Sequence, residues 1–292
     1  ITPDYAVDIW RSLELHIFPS ISKVPVSAIT APQIIDLLKP IEAKGSLETL
    51  KRLSQRLNEI MNFATNCGFI QANPLVGIKA AFKKPKKENM AALKPAELPE
   101  LMSAIANASI KRTTRCLIEW QLHTMTRPSE ASGAVWKEID LKNRVWTIPA
   151  ERMKKRRDHR IPLTDQMLAL LDVMRPISSH REFVFPSDRD PKKPCNSQTA
   201  NMALKRMGFA GRLVSHGLRS LASTTLNERG FDRDLIEAAL AHVDHNQVRS
   251  AYNRADYLER RRSVMSWWSD HIEEASKGKL SITSSLSTKA VN

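Results

Sequence analysis

The sequence predicts a mainly α-helical, α+β protein in two domains, and three observations carry that prediction. Apolar residues recur at helical spacing along most of the chain, as at Leu50, Leu53, Leu57, Ile60, Met61 and Ala64. A single region, from Ile139 to Leu163, reads as short strands. Between two helical regions lies Lys83-Lys84-Pro85-Lys86-Lys87-Glu88, where proline interrupts any helix and like charges extend the backbone.

Residues 1–82 read as helices throughout. Ile29-Thr30-Ala31-Pro32-Gln33 is a capped helix start with proline in the first turn, and the stripe from Leu50 to Ala64 is expected in a core. Arg52 and Arg56, four residues apart on that helix, are candidates to face phosphates, with a solvated face as the plainer reading. Gly68 stops the helix, and Asn73-Pro74-Leu75 forms a turn. Residues 83–93 read as a basic linker whose Lys83, Lys84, Lys86 and Lys87 could track a nucleic-acid backbone or simply keep a hinge soluble.

A second domain is expected over residues 94–275. An apolar-rich helix containing Leu117, Ile118, Trp120 and Leu122 spans 112–124 and leads into Thr126-Arg127-Pro128-Ser129-Glu130, where Pro128 suits the first position of a new helix and Glu130 stands close enough to orient Arg127. Ile139, Val145–Ile148 and Arg160–Leu163 read as strands, with a turn at Asn143. Six of the nine residues from Arg152 to Arg160 are basic, so Arg152, Lys154, Lys155, Arg156 and Arg157 are expected at a phosphate-facing hairpin tip. Helices follow from Asp165 and from Asn196 to Met207, with Gly208 as a stop. A last amphipathic helix runs from Ala255 to about Ser276, burying Tyr257, Leu258, Val264, Met265, Trp267 and Trp268. The Ser/Thr-rich residues 276–292 offer little to bury and are expected to be disordered.

Composition narrows the function. The 292 residues carry 45 Lys+Arg against 31 Asp+Glu, a net charge of +14, which points to a polyanionic partner such as nucleic acid. The charge is uneven, with eight bases against seven acids in residues 1–82 and most of the excess beyond. Three cysteines without paired spacing suggest neither a disulfide framework nor a zinc ribbon and fit a reducing, cytoplasmic setting. No apolar run is long enough to span a bilayer, so no membrane partner is expected.

The densest chemistry lies between Ser215 and Tyr257. His216, Arg219, His242 and Tyr252 fall within 37 residues. An arginine fork can hold non-bridging phosphate oxygens, imidazoles can donate to them or move a proton, and a phenol can act as nucleophile. A free phenol has a pKa of about 10, so Tyr252 needs nearby cations and a base such as His216 to react at neutral pH. Lys154 is the candidate acid for the leaving oxygen, with Lys155 as the adjacent alternative. Tyr257 is the rival nucleophile, though its setting suits helix packing. No cluster of carboxylates or further histidines surrounds His242 and His245 in the sequence, so no metal and no cofactor are expected.

Arg127 with Glu130 three residues on, Lys154 at a hairpin tip, His216-x-x-Arg219, His242 after Leu-Ala and Tyr252 ten residues further resemble the tyrosine recombinase (phage integrase) pattern. Ala251-Tyr252-Asn253-Arg254, the run to Arg262 and Trp267-Trp268 are similar to the subgroup carried by satellite phages and genomic islands. The resemblance covers residues 1 to about 275. It implies an α-helical, SAM-like core-binding domain and a DNA breaking-rejoining catalytic domain with a small antiparallel sheet, closing on DNA from opposite sides. A further N-terminal arm-binding domain, which many members carry, is not expected within these residues. By the same resemblance Arg127 and Arg219 bind the scissile phosphate and Tyr252 forms a 3′-phosphotyrosyl link that integrates or excises a prophage or genomic island. Double-stranded attachment sites, a homo-tetramer on DNA, an excisionase and a DNA-bending host factor are the implied partners. The helix after Tyr252 could pack on its own protomer or on a neighbour. Two departures stand out: Met125 lies where relatives often have a small residue, and Ala241 where glycine usually precedes the histidine. A catalytically silent DNA-binding regulator of the same fold and a type IB topoisomerase-like enzyme are the alternatives.

Overall fold

In the computed structural model the chain divides into two units, Ile1–Glu88 and Asn89–Asn292. The structure describes residues 3–86, 89–242 and 257–277. Tyr252, Lys87 and His245 therefore lie outside the described residues, as does the 278–292 tail.

The first unit is helical: α1 (Pro3–His16), α2 (Phe18–Ile21), α3 (Ala31–Ala43) and α4 (Leu47–Asn66). Thr30 caps α3 by accepting from the Gln33 N–H at 3.5 Å, and Pro32 occupies its first turn. Leu50, Leu53, Leu57 and Met61 of α4 bury against Ile34 and Leu38 of α3, with Leu13, Ile17 and Leu75 completing the core. Gly68, at φ 75°, ends α4 because it takes the left-handed conformation at low cost, which lets the Phe69 N–H reach the Ala64 carbonyl at 2.9 Å. Ile60 departs from expectation. It is 42% exposed, because it sits at the edge of the apolar stripe beside the exposed Phe63.

The second unit holds α5 (Leu98–Asn107), α6 (Arg112–Thr124), α7 (Pro128–Ser132), α8 (Asp165–Ser178), α9 (Thr199–Leu204), α10 (Gly217–Glu228), α11 (Arg233–Ala239) and α12 (Leu258–Ser276). Its antiparallel sheet has the order β1 (Ile139–Asp140), β2 (Val145–Ile148), β3 (His159–Pro162). Trp146 of β2 pairs with Ile139 and Ile161, and Ile148 with His159. The third strand thus opens one residue earlier than expected. After α9 the chain widens into a π-type turn, Lys205–Phe209, with Gly208 at φ 93°.

Helix α6 is the centre of this unit, buried at every position from Cys116 to Thr124. A helix that is covered on all sides must be apolar on all sides or satisfy its polar groups internally. Trp120 packs 5.0 Å from Trp146 and 6.2 Å from Phe185, and the Leu122 carbonyl accepts from Trp268 Nε1 of α12 at 2.9 Å. His123 Nδ1 lies 2.9 Å from Ser269 Oγ, which also meets Thr164. The end of α6 is thereby fixed, and Arg127 follows three residues later.

The linker is shorter than composition predicts. The Lys83 N–H is bonded to the Glu42 carboxylate of the first unit, while the Ala91 carbonyl accepts from the Val214 N–H and Leu93 is buried in the second unit. Gly217 is required by this path, since a Cβ there would collide with the Ala91 carbonyl oxygen.

Candidate active site

Helix α6 ends at Met125, whose left-handed backbone (φ 55°) turns the chain sharply into Thr126 and Arg127. Arg127 is extended and precedes Pro128, the first residue of α7, whose missing N–H costs nothing there. Glu130, two residues further into α7, accepts from the Arg127 N–H at 2.9 Å and from its guanidinium at 2.7 Å. The carboxylate is buried and the guanidinium one-fifth exposed, so the arginine is held at its root with its face open.

Arg219 comes from α10 and is 4% exposed. Its guanidinium donates to the Met125 carbonyl and, at 2.6 Å, to the Leu240 carbonyl at the end of α11. The chain then turns through Ala241, also left-handed at φ 50°, to His242. Arg127 reaches the Ala241 carbonyl at 3.5 Å. Both arginines therefore converge on one turn. The two departures noted from the family pattern, Met125 and Ala241, are both left-handed, and their carbonyls accept from Arg219 and Arg127 respectively.

His242 Nδ1 lies 2.8 Å from the Glu237 carboxylate and its Nε2 3.2 Å from Arg219 Nη2. His216 stands at the N-cap position of α10, with no side-chain bond to the helix end. Burial, followed by the fields of Arg219, Arg127 and His242, lowers its pKa below the ordinary imidazole value and favours the neutral base. Burial and the adjacent Arg127 bring Arg219 down to about 10, which leaves it cationic at neutral pH. Ser215, immediately before His216, is clamped on both sides: Gln121 Nε2 donates to its carbonyl at 2.8 Å, and its N–H donates to Asn201 Oδ1 at 3.1 Å.

Arg127, Glu130, His216, Arg219 and His242 are thus brought together. Lys154, Lys155, Arg156 and Arg157 are exposed on the loop between β2 and β3, and Asp158 closes that loop by accepting from the Ala150 N–H at 2.8 Å. The structure does not carry Lys154 into contact with the arginines. Arg152 is a correction: its guanidinium turns inward to Glu138 at 2.5 Å instead of facing phosphate, because a buried carboxylate there demands a cation. Arg56 is another, being half-buried and donating to Ser12 of α1, with its guanidinium 6.0 Å from the Tyr5 ring centroid. Arg52, Lys83, Lys84 and Lys86 are exposed. Tyr257 packs against the core with Arg260 5.3 Å from its ring centroid.

Sequence reasoning missed Gln121, Asn201 and Glu237. His159 is buried on β3, where burial and then Arg261, Arg219 and Arg127 lower it to about 3.

A buried arginine and a part-exposed one, flanked by two histidines, are equipped to bind and activate a phosphodiester. The pattern described as "Phage integrase family" matches residues 91–259, and "Phage integrase central domain" matches residues 1–81. The prophage integrase IntA of Escherichia coli K12 is 55% identical over 283 residues, covering 97% of this chain and 68% of that protein. The integrase of enterobacteria phage P4 is 32% identical, covering 92% of this chain and 65% of that protein. This chain therefore spans about two thirds of the length of those relatives. Among solved structures, a lambda integrase (75–356) dimer bound to a COC′ core site has a TM-score of 0.68 at 20% identity, covering 88% of this chain and 90% of that one. The Tn1549 transposon integrase in complex with circular intermediate DNA gives 0.66 at 15%, covering 90% and 94%. The chain belongs to the phage integrase family.

Proposed function

We propose that this chain is a site-specific tyrosine recombinase that cuts and rejoins DNA to integrate or excise a prophage or genomic island. The observation that carries the reading is the convergence of Arg127 and Arg219 on the turn before His242, with His216 beside them. The scissile phosphate is bound between the two guanidinium groups. Tyr252 loses its proton to His216 as its oxygen attacks phosphorus, and the bond to the 5′-oxygen breaks as Lys154 protonates that oxygen. The product is a 3′-phosphotyrosyl link and a free 5′-hydroxyl. Extra negative charge on the phosphorane-like transition state is met by Arg127, Arg219 and His242; each prepositioned donor of this kind contributes roughly 3–4 kcal/mol. Because the phosphotyrosine retains the ester, attack by a second 5′-hydroxyl reverses the sequence without ATP.

The first unit serves as the core-binding domain and the second as the catalytic domain. Double-stranded attachment sites are the substrate, and the active assembly is a tetramer, as supported by the lambda integrase tetramer bound to a Holliday junction, whose fold this chain shares at a TM-score of 0.68. An excisionase and a DNA-bending factor set direction, in the cytoplasm at the nucleoid. No helix among the described residues is long and apolar enough to cross a membrane. The test is a substrate carrying two attachment sites on supercoiled DNA. Strand exchange between the sites supports the reading; relaxation without exchange identifies a topoisomerase, and specific binding with no covalent adduct identifies a regulator.

A further inference from the structure

The root of the Lys154 hairpin is tied to the turn that carries Arg127. Arg152, two residues before Lys154, donates through Nη1 to both Glu138 oxygens at 2.5 Å and through Nη2 to the Glu130 carbonyl at 3.0 Å. Glu138 is 6% exposed and also accepts from Trp146 Nε1 at 3.0 Å and from the Val135 N–H at 3.3 Å. Glu130 is the residue whose carboxylate holds Arg127. One end of Glu130 thus anchors Arg127 and the other anchors Arg152. Met153, between Arg152 and Lys154, is buried, whereas Lys154 to Arg157 stand in solvent. The arrangement is a fixed root with a free tip. Gly133 makes room for it, since a Cβ there would lie 2.8 Å from Arg152 Nη2.

We propose that Arg152 is a positioning residue that braces the Lys154 hairpin against the Arg127 turn, so that the ammonium reaches the leaving 5′-oxygen of the phosphate Arg127 holds. The inference rests on the assignment of Lys154 as the acid. A hairpin pinned two residues before its acid samples far fewer tip positions than a free one, and misplacement of a general acid forfeits its rate contribution. Arg152 itself never meets DNA. Its charge is consumed by Glu138.

The test uses the full chain and a nicked suicide DNA in two forms, one with the natural 5′-oxygen and one with sulfur in its place. A thiol leaves with a pKa near 8.5, so sulfur departs without a proton donor. Arg152→Ala is expected to cleave the oxygen substrate roughly 10–100-fold more slowly than wild type, yet to match wild type on sulfur. Lys154→Ala shows the same pattern, and Arg127→Ala is slow on both. Arg152→Lys recovers part of the oxygen rate. Gly133→Ala, which displaces Arg152 without changing it, reproduces the Arg152→Ala pattern and serves if Arg152→Ala does not fold. An Arg152→Ala rate unchanged on oxygen, or equally slow on both while sulfur rescues Lys154→Ala, overturns the brace alone. A Lys154→Ala variant that sulfur does not rescue overturns the acid assignment beneath it.

Discussion

Glu130 grips Arg127 at both ends, accepting from its backbone N–H at 2.9 Å and from its guanidinium at 2.7 Å. Truncation to alanine leaves that N–H unpaired and the arginine free to swing. Glu130→Ala is expected to lower stability by about 1–3 kcal/mol and single-turnover cleavage by roughly 10–100-fold. Glu130→Gln keeps an acceptor for the backbone but loses the charge, so urea unfolding recovers more than cleavage does.

The two left-handed residues beside the arginines respond in opposite directions to glycine. Ala241 has little side chain to lose and a φ of 50°, so Ala241→Gly is expected to stabilise by about 0.5–1 kcal/mol. Met125 shares the backbone strain but its side chain is fully buried, so Met125→Gly is expected to destabilise by about 2–4 kcal/mol. Urea denaturation of the two variants gives both signs.

Acid should unfold this protein through its buried histidines. Burial lowers His123 to about 3, and burial with nearby guanidinium groups lowers His159 to about 3. The folded state holds both neutral while the unfolded chain takes up protons below about pH 6.5, so stability is full above that pH and declines as pH falls toward 3. Denaturation midpoints measured from pH 7.5 to 4.5 should drop steadily, and His123→Leu should flatten part of that slope.

The depressed pKa of His216 has a kinetic counterpart. A base that stays neutral below the ordinary imidazole range keeps cleavage active there, so the acid limb of the single-turnover rate is expected to fall below about pH 6.5. Arg219→Met removes one of the fields that lowers it and should move that limb upward, besides slowing the reaction.

Local signals carried much of the fold. Thr30 and Pro32 announced α3, Pro128 announced α7, and the three short strands were legible around the Asn143 turn. The order of Arg127, His216, Arg219 and His242 was legible too, as was Glu130 beside Arg127, but what holds the other three was not. Gln121 and Ser215 lie 94 residues apart, as do Arg219 and Met125, and no periodicity links them. The hairpin shows the limit of counting charges. Its basic run suggested a uniform phosphate-facing tip, yet Glu138, 14 residues before Arg152, draws one guanidinium inward and leaves the others out. Ile60 shows the same limit for apolar stripes, whose width the sequence marks without saying how much of it a neighbouring helix covers.

The most direct test of the central claim is to trap the covalent complex on a nicked attachment-site DNA and identify the modified residue by peptide mass spectrometry. The account predicts a single 3′-phosphate adduct on Tyr252, lost in Tyr252→Phe and strongly reduced when Arg127 or Arg219 is replaced. An adduct on Tyr257, or cleavage that persists in Tyr252→Phe, would contradict it.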